Sequence, residues 1–264
     1  LSPSAGSVSG GFTKLNQTGY AGYTANYFGA SSDTQNLKLS YASFVVPDMG
    51  GVGVGGTYAA NAISFLRNGG GQSITFADDR DTLMLTSGGF VTNGNFAGSL
   101  GFAPGNGNIS VGNATASAGT SRLYFTFNQS GYTTTINSAI IDNPNNPSAW
   151  VRLVVTPFSG GTLILAGSNS YRGGTVIDGG QTYSGFLQVD PTGVLPGGGV
   201  TVNSASLFLN GGRVDATNTV VVNGNSTVNL NDYSLTLAGL VLNNDGATQT
   251  VNLGAGTTVL GSTD

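Results

Sequence analysis

From Gly160 to Gly180 the chain reads GGTLILAGSNSYRGGTVIDGG, followed by FLQV at Phe186–Val189 and GGGVTVNSASLFLNGG at Gly197–Gly212. Leu163 and Leu165, Leu187 and Val189, and Leu207 and Leu209 each stand two apart. A period of two puts each pair on one face of an extended strand, and the Gly and Asn clusters between runs mark turns. Val228/Leu230, Leu235/Leu237 and Val251/Leu253 continue the pattern. No stretch keeps the i, i+3, i+4 spacing of a helix, so the spacing predicts an all-β chain.

Repeats then decide between a sandwich and a solenoid. TVNL at Thr227–Leu230 returns at Thr250–Leu253, and SLTL at Ser234–Leu237 is answered by TTVL at Thr257–Leu260, both at the same offset. Stacked rungs of a β-solenoid keep one offset and place Leu above Leu, whereas an antiparallel sandwich has no reason to. Rungs of ~20–25 residues would give roughly ten or eleven turns and ~50 Å of rod at the ~4.8 Å strand spacing. Gly and Asn suit the corners, because both accept positive φ and Asn side chains can bond the backbone of the next turn.

Two regions are expected. Residues 1–56 form an aromatic-rich, less regular N-terminal segment or cap, ending in the Gly-rich connection Gly50–Gly56. Residues 57–264 form the solenoid, with RLYFTF at Arg122–Phe127 and WVRLVV at Trp150–Val155 as its most apolar strands.

Composition narrows the function. Gly supplies 44 of 264 residues, yet the apolar share is 39% and comes in strand-length runs, so the chain should fold rather than behave as a low-complexity tract. Charged residues are only 8%, with no Glu, His or Cys. A net charge of −4 makes a poor nucleic-acid partner, since phosphate contacts need clustered cations. The lack of Cys removes disulfides and thiol chemistry. No apolar stretch is long enough for a membrane helix, and nothing here reads as an outer-membrane barrel. Leu1 in place of Met, with no basic leader, reads as a processed chain or a fragment.

Few residues offer chemistry. Asp78, Asp79 and Asp81 around Arg80 are the densest ionisable group, and acid–base catalysis or calcium binding is weighed there against a solvated turn. The turn is preferred, because adjacent Asp side chains diverge and no His or Glu supports them. Gly51–Gly56 fits GxGxxG but is followed by strand-like TYAANAISFL rather than a helix, so it reads as a corner. The oxygen-rich Asp142–Asn146 loop lacks EF-hand spacing. Sequons at Asn16, Asn108, Asn113, Asn128 and Asn225 are read as unmodified. No catalytic, cofactor-binding or metal-binding residue is therefore assigned, and no enzymatic activity is expected.

The block at Gly161–Gly180, with its following LQV strand, resembles the autotransporter-associated β-strand repeat, whose pattern is GTLxLxGxNxYxGGTxIxGG. TLMLTSGG at Thr82–Gly89 and TINSAIID at Thr135–Asp142 resemble it more loosely. Two departures are visible: an insertion at Gln181–Gly185, and no lysine before the GTL strand. The resemblance implies a right-handed parallel β-helix, secretion by a Gram-negative bacterium and an extracellular or cell-surface location, and it implies no active site.

The expectation is thus a structural β-solenoid: a surface rod, a passenger stalk or a self-associating filament subunit. A glycan- or host-binding adhesin is the alternative, and a polysaccharide hydrolase or lyase ranks third. End-to-end association or continuation in a longer chain would involve Thr250, Leu253, Thr257 and Leu260 at one end. Tyr20, Tyr23, Tyr27 and Phe28 are the candidate complementary surface at the other end, with capping of the first rung and stacking on sugar rings as the other readings.

Overall fold

The computed structural model describes residues 23–25, 28, 31–40, 42–67, 71–94, 97–128, 131–158, 160–179, 185–243 and 246–260. Among them every regular element is a β-strand. In the second half the chain cycles through three faces. Phe186–Val189, Val194–Leu195 and Val200–Asn203 lie on successive faces, and Ser206–Leu209, Arg213–Val214 and Thr219–Asn223 repeat the circuit directly above them. Ser226–Asn229, Leu235–Leu237 and Gly239–Leu242 make the next turn. All these pairings are parallel, the signature of a parallel β-helix rather than a sandwich.

The two larger sheets run the length of the stack in sequence order. The first begins at Tyr23–Ala25 and passes through Asn36–Ser40, Thr57–Leu66, Thr82–Asn93, Gly119–Asn128 and Ala149–Phe158 before reaching Thr175–Asp178. The second runs from Phe44–Val46 to Gln249–Asn252. Both sheets cross residue 56 without a break, so the N-terminal segment supplies strands to each of them.

The common offset read from the sequence is the observed register: Thr227 pairs with Thr250, and Leu235 with Thr258. Earlier rungs are longer. Phe44 pairs with Ile74 and Ile136 with Leu165, both wider separations along the chain than that between Leu187 and Leu207. Among the described residues the second sheet therefore stacks nine strands, fewer than the roughly ten or eleven turns implied by extending the short C-terminal repeat along the whole chain.

Longer rungs enclose a wider section, and its filling changes accordingly. Phe65, Phe90, Phe125 and Phe127 are buried in the first half, where the Phe90 and Phe125 rings lie 5.0 Å apart. The second half is filled mainly by aliphatic ladders, with Tyr171 buried among them. Leu163, Leu187, Leu207 and Val228 stack in register and are all buried, each side chain contributing on the order of 1.5–3 kcal/mol of transfer energy. Val251 continues the ladder but is only half-buried, and Leu253, expected inward, is 38% exposed. Both belong to the last described rung, and among the described residues no strand lies above them to close the core.

Candidate functional site

The buried asparagines Asn106, Asn143, Asn169 and Asn218 all lie at corners between strands. Asn169 accepts a hydrogen bond from the Ile140 amide (2.8 Å) through Oδ1 and donates Nδ2 to the Val194 carbonyl (2.9 Å), tying its rung to the ones on either side. Asn218 accepts from the Gly199 amide (2.7 Å) and donates to the Leu195 and Pro196 carbonyls. Asn106 and Asn143 make comparable bonds to the preceding turns. The Tyr171 hydroxyl lies 2.6 Å from Thr175 Oγ1 inside the core, and burial pushes its pKa well above the ordinary tyrosine value. Gly174 has φ +83° and a Cβ there would meet the Gly198 carbonyl oxygen at 2.3 Å, so this position needs glycine for both shape and space.

The acidic turn is built the same way. Asp81 is fully buried, and its Oδ1 accepts from the Gly56 amide (2.7 Å) and, at 3.4 Å, from that of Met49. Its Oδ2 has no hydrogen-bond partner. Asp79 accepts from Asn106 Nδ2 on the following turn (2.7 Å). Asp78 caps the Arg80 amide (2.8 Å) and reaches the Gly53 amide (2.5 Å); those two amides hold its carboxyl below the usual range. Arg80 returns a bond to the Gly53 carbonyl. The three carboxylates thus turn toward different neighbours. Gly50–Gly56 is a bonded corner held by this turn. A depression of about 470 Å³ beside it is lined by Val52, Phe76, Asp78, Asp79, Arg80 and Phe102. Among the described residues no group of acidic side chains has metal-binding geometry.

The residues expected at subunit contacts separate to the two ends of the stack. Tyr20 and Tyr27 lie outside the described residues. Tyr23 opens the first sheet's outermost strand, in register with Asn36. Phe28 is half-buried and meets Tyr58 edge-on, centroids 5.1 Å apart, so it packs against the core. At the other end Thr250 and Thr257 are exposed, and Leu260 is 54% exposed beside Leu253.

A further cluster lies on the outer face of the first sheet. Arg152 pairs in register with Arg122, and Trp150 with Thr120. Arg172 lies over the Trp150 ring with its guanidinium carbon 5.4 Å from the centroid, held by Nε to Asp142 Oδ2 (2.6 Å) and by the Pro147 carbonyl. Arg152 Nε donates to the Gly173 carbonyl (2.7 Å), and Arg122 Nη1 to the Tyr124 hydroxyl (3.3 Å). The sequence signal was present in WVR and RLY, where Trp150 and Arg152, and Arg122 and Tyr124, share strand parity. Reading those strands for their apolar face alone missed it.

Comparison with known proteins bears on the corners. Residues 159–182 match the family model described as Passenger-associated-transport-repeat, and the block Gly161–Gly180 that resembles the autotransporter-associated repeat lies inside that match. No curated protein and no solved structure matches the chain. The matched positions are the rung-building ones, since Leu163 and Leu165 fill the core, Asn169 bridges two turns, and Tyr171 bonds Thr175 within. Over this stretch the chain is similar to a passenger-associated transport repeat.

Proposed function

We propose that this chain is a structural segment of a secreted, surface-exposed β-helix, a passenger rod whose exposed end pairs with more β-structure. The carrying observation is where its polar chemistry goes. Asn106, Asn143, Asn169, Asn218, Asp79 and Asp81 each bond to a neighbouring turn. Groups committed to rung-to-rung bonds hold a shape, and catalysis is outside this proposal. The strands Gln249–Asn252 and Thr258–Leu260 have no outer neighbour among the described residues, and their rung exposes Leu253, Val259 and Leu260. An uncovered edge of this kind recruits another strand. With charged residues at 8%, little repulsion opposes it.

Electron microscopy and light scattering on the purified chain test the proposal. End-to-end filaments would identify the occupant as a second copy, joined heterologously. A monomer whose edge amides exchange fast would assign the position to later rungs of a longer chain. A stable monomer at high concentration, with slow amide exchange across Gln249–Leu260, would overturn the proposal.

A further inference from the structure

We infer that the outer face of the first sheet around Trp150 is a binding surface for an anionic polysaccharide. The observation begins with charge. The chain has six arginines and two lysines in 264 residues, yet Arg122 and Arg152 are directly paired across adjacent parallel strands. Their Cα atoms are therefore about 4.8 Å apart, and like charges placed opposite one another in a sheet are unfavourable. The one ion pair among the described residues is Arg172 with Asp142, so no carboxylate there offsets either arginine. Two guanidinium groups thus stand on adjacent strands of one face without an ion-pair partner, where a bound anion can meet both.

The second observation is aromatic. Trp150 is the chain's single tryptophan, and it stands 42% exposed on the strand that carries Arg152, two residues away on the same face. Its ring is fixed by Arg172, which Asp142 and the Pro147 carbonyl hold in turn. Tyr124 stands two residues from Arg122 on the same face of the preceding strand and is half-buried. The row of arginines is therefore flanked by a ring on each strand. Next along the axis come Gly173 and Gly174, where Arg152 leans onto the Gly173 carbonyl over backbone without side chains.

These features select the ligand class. Guanidinium groups recognise carboxylate or sulfate oxygens through paired N–H donors. Braced rings offer flat apolar faces to the C–H face of a sugar. A flat, open strip running along the rod suits a polymer with charge on successive units better than a small molecule, which needs a concave pocket. Duplex DNA is disfavoured because tracking its phosphates takes many clustered cations, and this face offers one pair of arginines flanked by rings suited to sugars. The inference is independent of whether the rod's end pairs with another copy.

Trp150 itself is the reporter. Polygalacturonate (carboxylated) and heparin (sulfated) would each be titrated against its fluorescence, with neutral dextran and duplex DNA as comparison arms. The expected result is saturable, salt-sensitive binding of at least one acidic polysaccharide and none of dextran. R122Q/R152Q should weaken it at least tenfold with an unchanged melting temperature. Arg213→Gln, on the third face, should leave it unaltered. Binding to neither acidic polymer, equal binding by R122Q/R152Q, or an equal loss in R213Q would overturn the inference. DNA binding as tightly as the polysaccharides would overturn the assignment to sugar. Calorimetry on W150F separates the ring's contribution, expected as a several-fold loss while the arginines remain.

Discussion

Asn223 donates its side-chain amide to Oδ1 of Asn203, 2.6 Å away and one rung earlier, and Asn243 repeats the bond onto Asn223. Three asparagines in register thus form a ladder along the axis, each bonded to the next through its side chain. Such a ladder can form only if successive strands are parallel and unshifted, because a slip of one residue would turn alternate members inward. Asn223→Leu should therefore cost about 1 kcal/mol, a modest loss because the row is partly solvated. Urea unfolding of this variant beside Thr236→Ala, an exposed strand position off the ladder, measures it; equal loss in both would contradict the ladder's role.

The corner asparagines should matter more. Asn169→Ala leaves the buried Ile140 amide and Val194 carbonyl without the bonds they make to its side chain. The expected loss is about 2–4 kcal/mol, from about 1–3 per unsatisfied group less relaxation. Asn169→Asp sets a buried carboxylate oxygen against the Val194 carbonyl, so at pH 7 it should lose at least as much as Ala. Denaturant midpoints that leave Asn169→Ala as stable as the parent would show that these bonds do not hold the corner.

The core ladder is graded by position. Leu207→Ala should cost about 2–5 kcal/mol, because Leu207 is buried with Leu187 and Val228 on either side in register. Leu253→Ala should cost well under half of that, since Leu253 is 38% exposed in the last described rung. Thermal melts distinguish these, and an equal cost would mean that the last rung is covered in the isolated chain.

Much of this was legible in the residues, for reasons that also explain the misses. Leu163/Leu165 and Leu207/Leu209 disclose their strands because inward and outward positions alternate with period two, and the TVNL repeat discloses stacking because register partners share chemistry. Rung length before Thr162 was not legible. Ile136 and Leu165 are register partners with no shared motif to mark the spacing between them. The outer face was obscured for the opposite reason: Trp150 and Arg122 sit in strands whose inward residues dominate the reading. Only the register that sets Arg152 beside Arg122 makes them one surface.

Arg67 should be dispensable for stability. It is buried, with Nη2 bonded to Thr134 Oγ1 (3.0 Å), while its Nε and Nη1 have no hydrogen-bond partner. Burial pushes its pKa down to about 10, so the folded state disfavours the charged form. Below pH 10 that cost is present in full, and it is relieved as pH rises above 10, where the folded protein loses the proton before the unfolded chain does. Arg67→Met removes the guanidinium, whose carbon lies 5.7 Å from the Phe65 centroid, and should still raise stability by about 1–2 kcal/mol at pH 7, with the difference narrowing above pH 10. A lower melting temperature for the variant at pH 7 would contradict this.

The central claim is a single parallel stack in continuous register. Ala62, Gly89, Tyr124, Val154, Val176, Thr201 and Val221 follow one another as partners along one outer row. Ala62 and Val221 are thus six rungs apart, about 29 Å at ~4.8 Å per step. The chain has no cysteine, so Ala62→Cys with Val221→Cys can be spin-labelled without background. Pulsed electron paramagnetic resonance should give one narrow distance of about 29 Å, widened only by the label tethers. The Ala62 and Val176 pair, four steps apart, should read about 10 Å less. A broad distribution, or two distances that do not scale with the number of rungs, would contradict the stack.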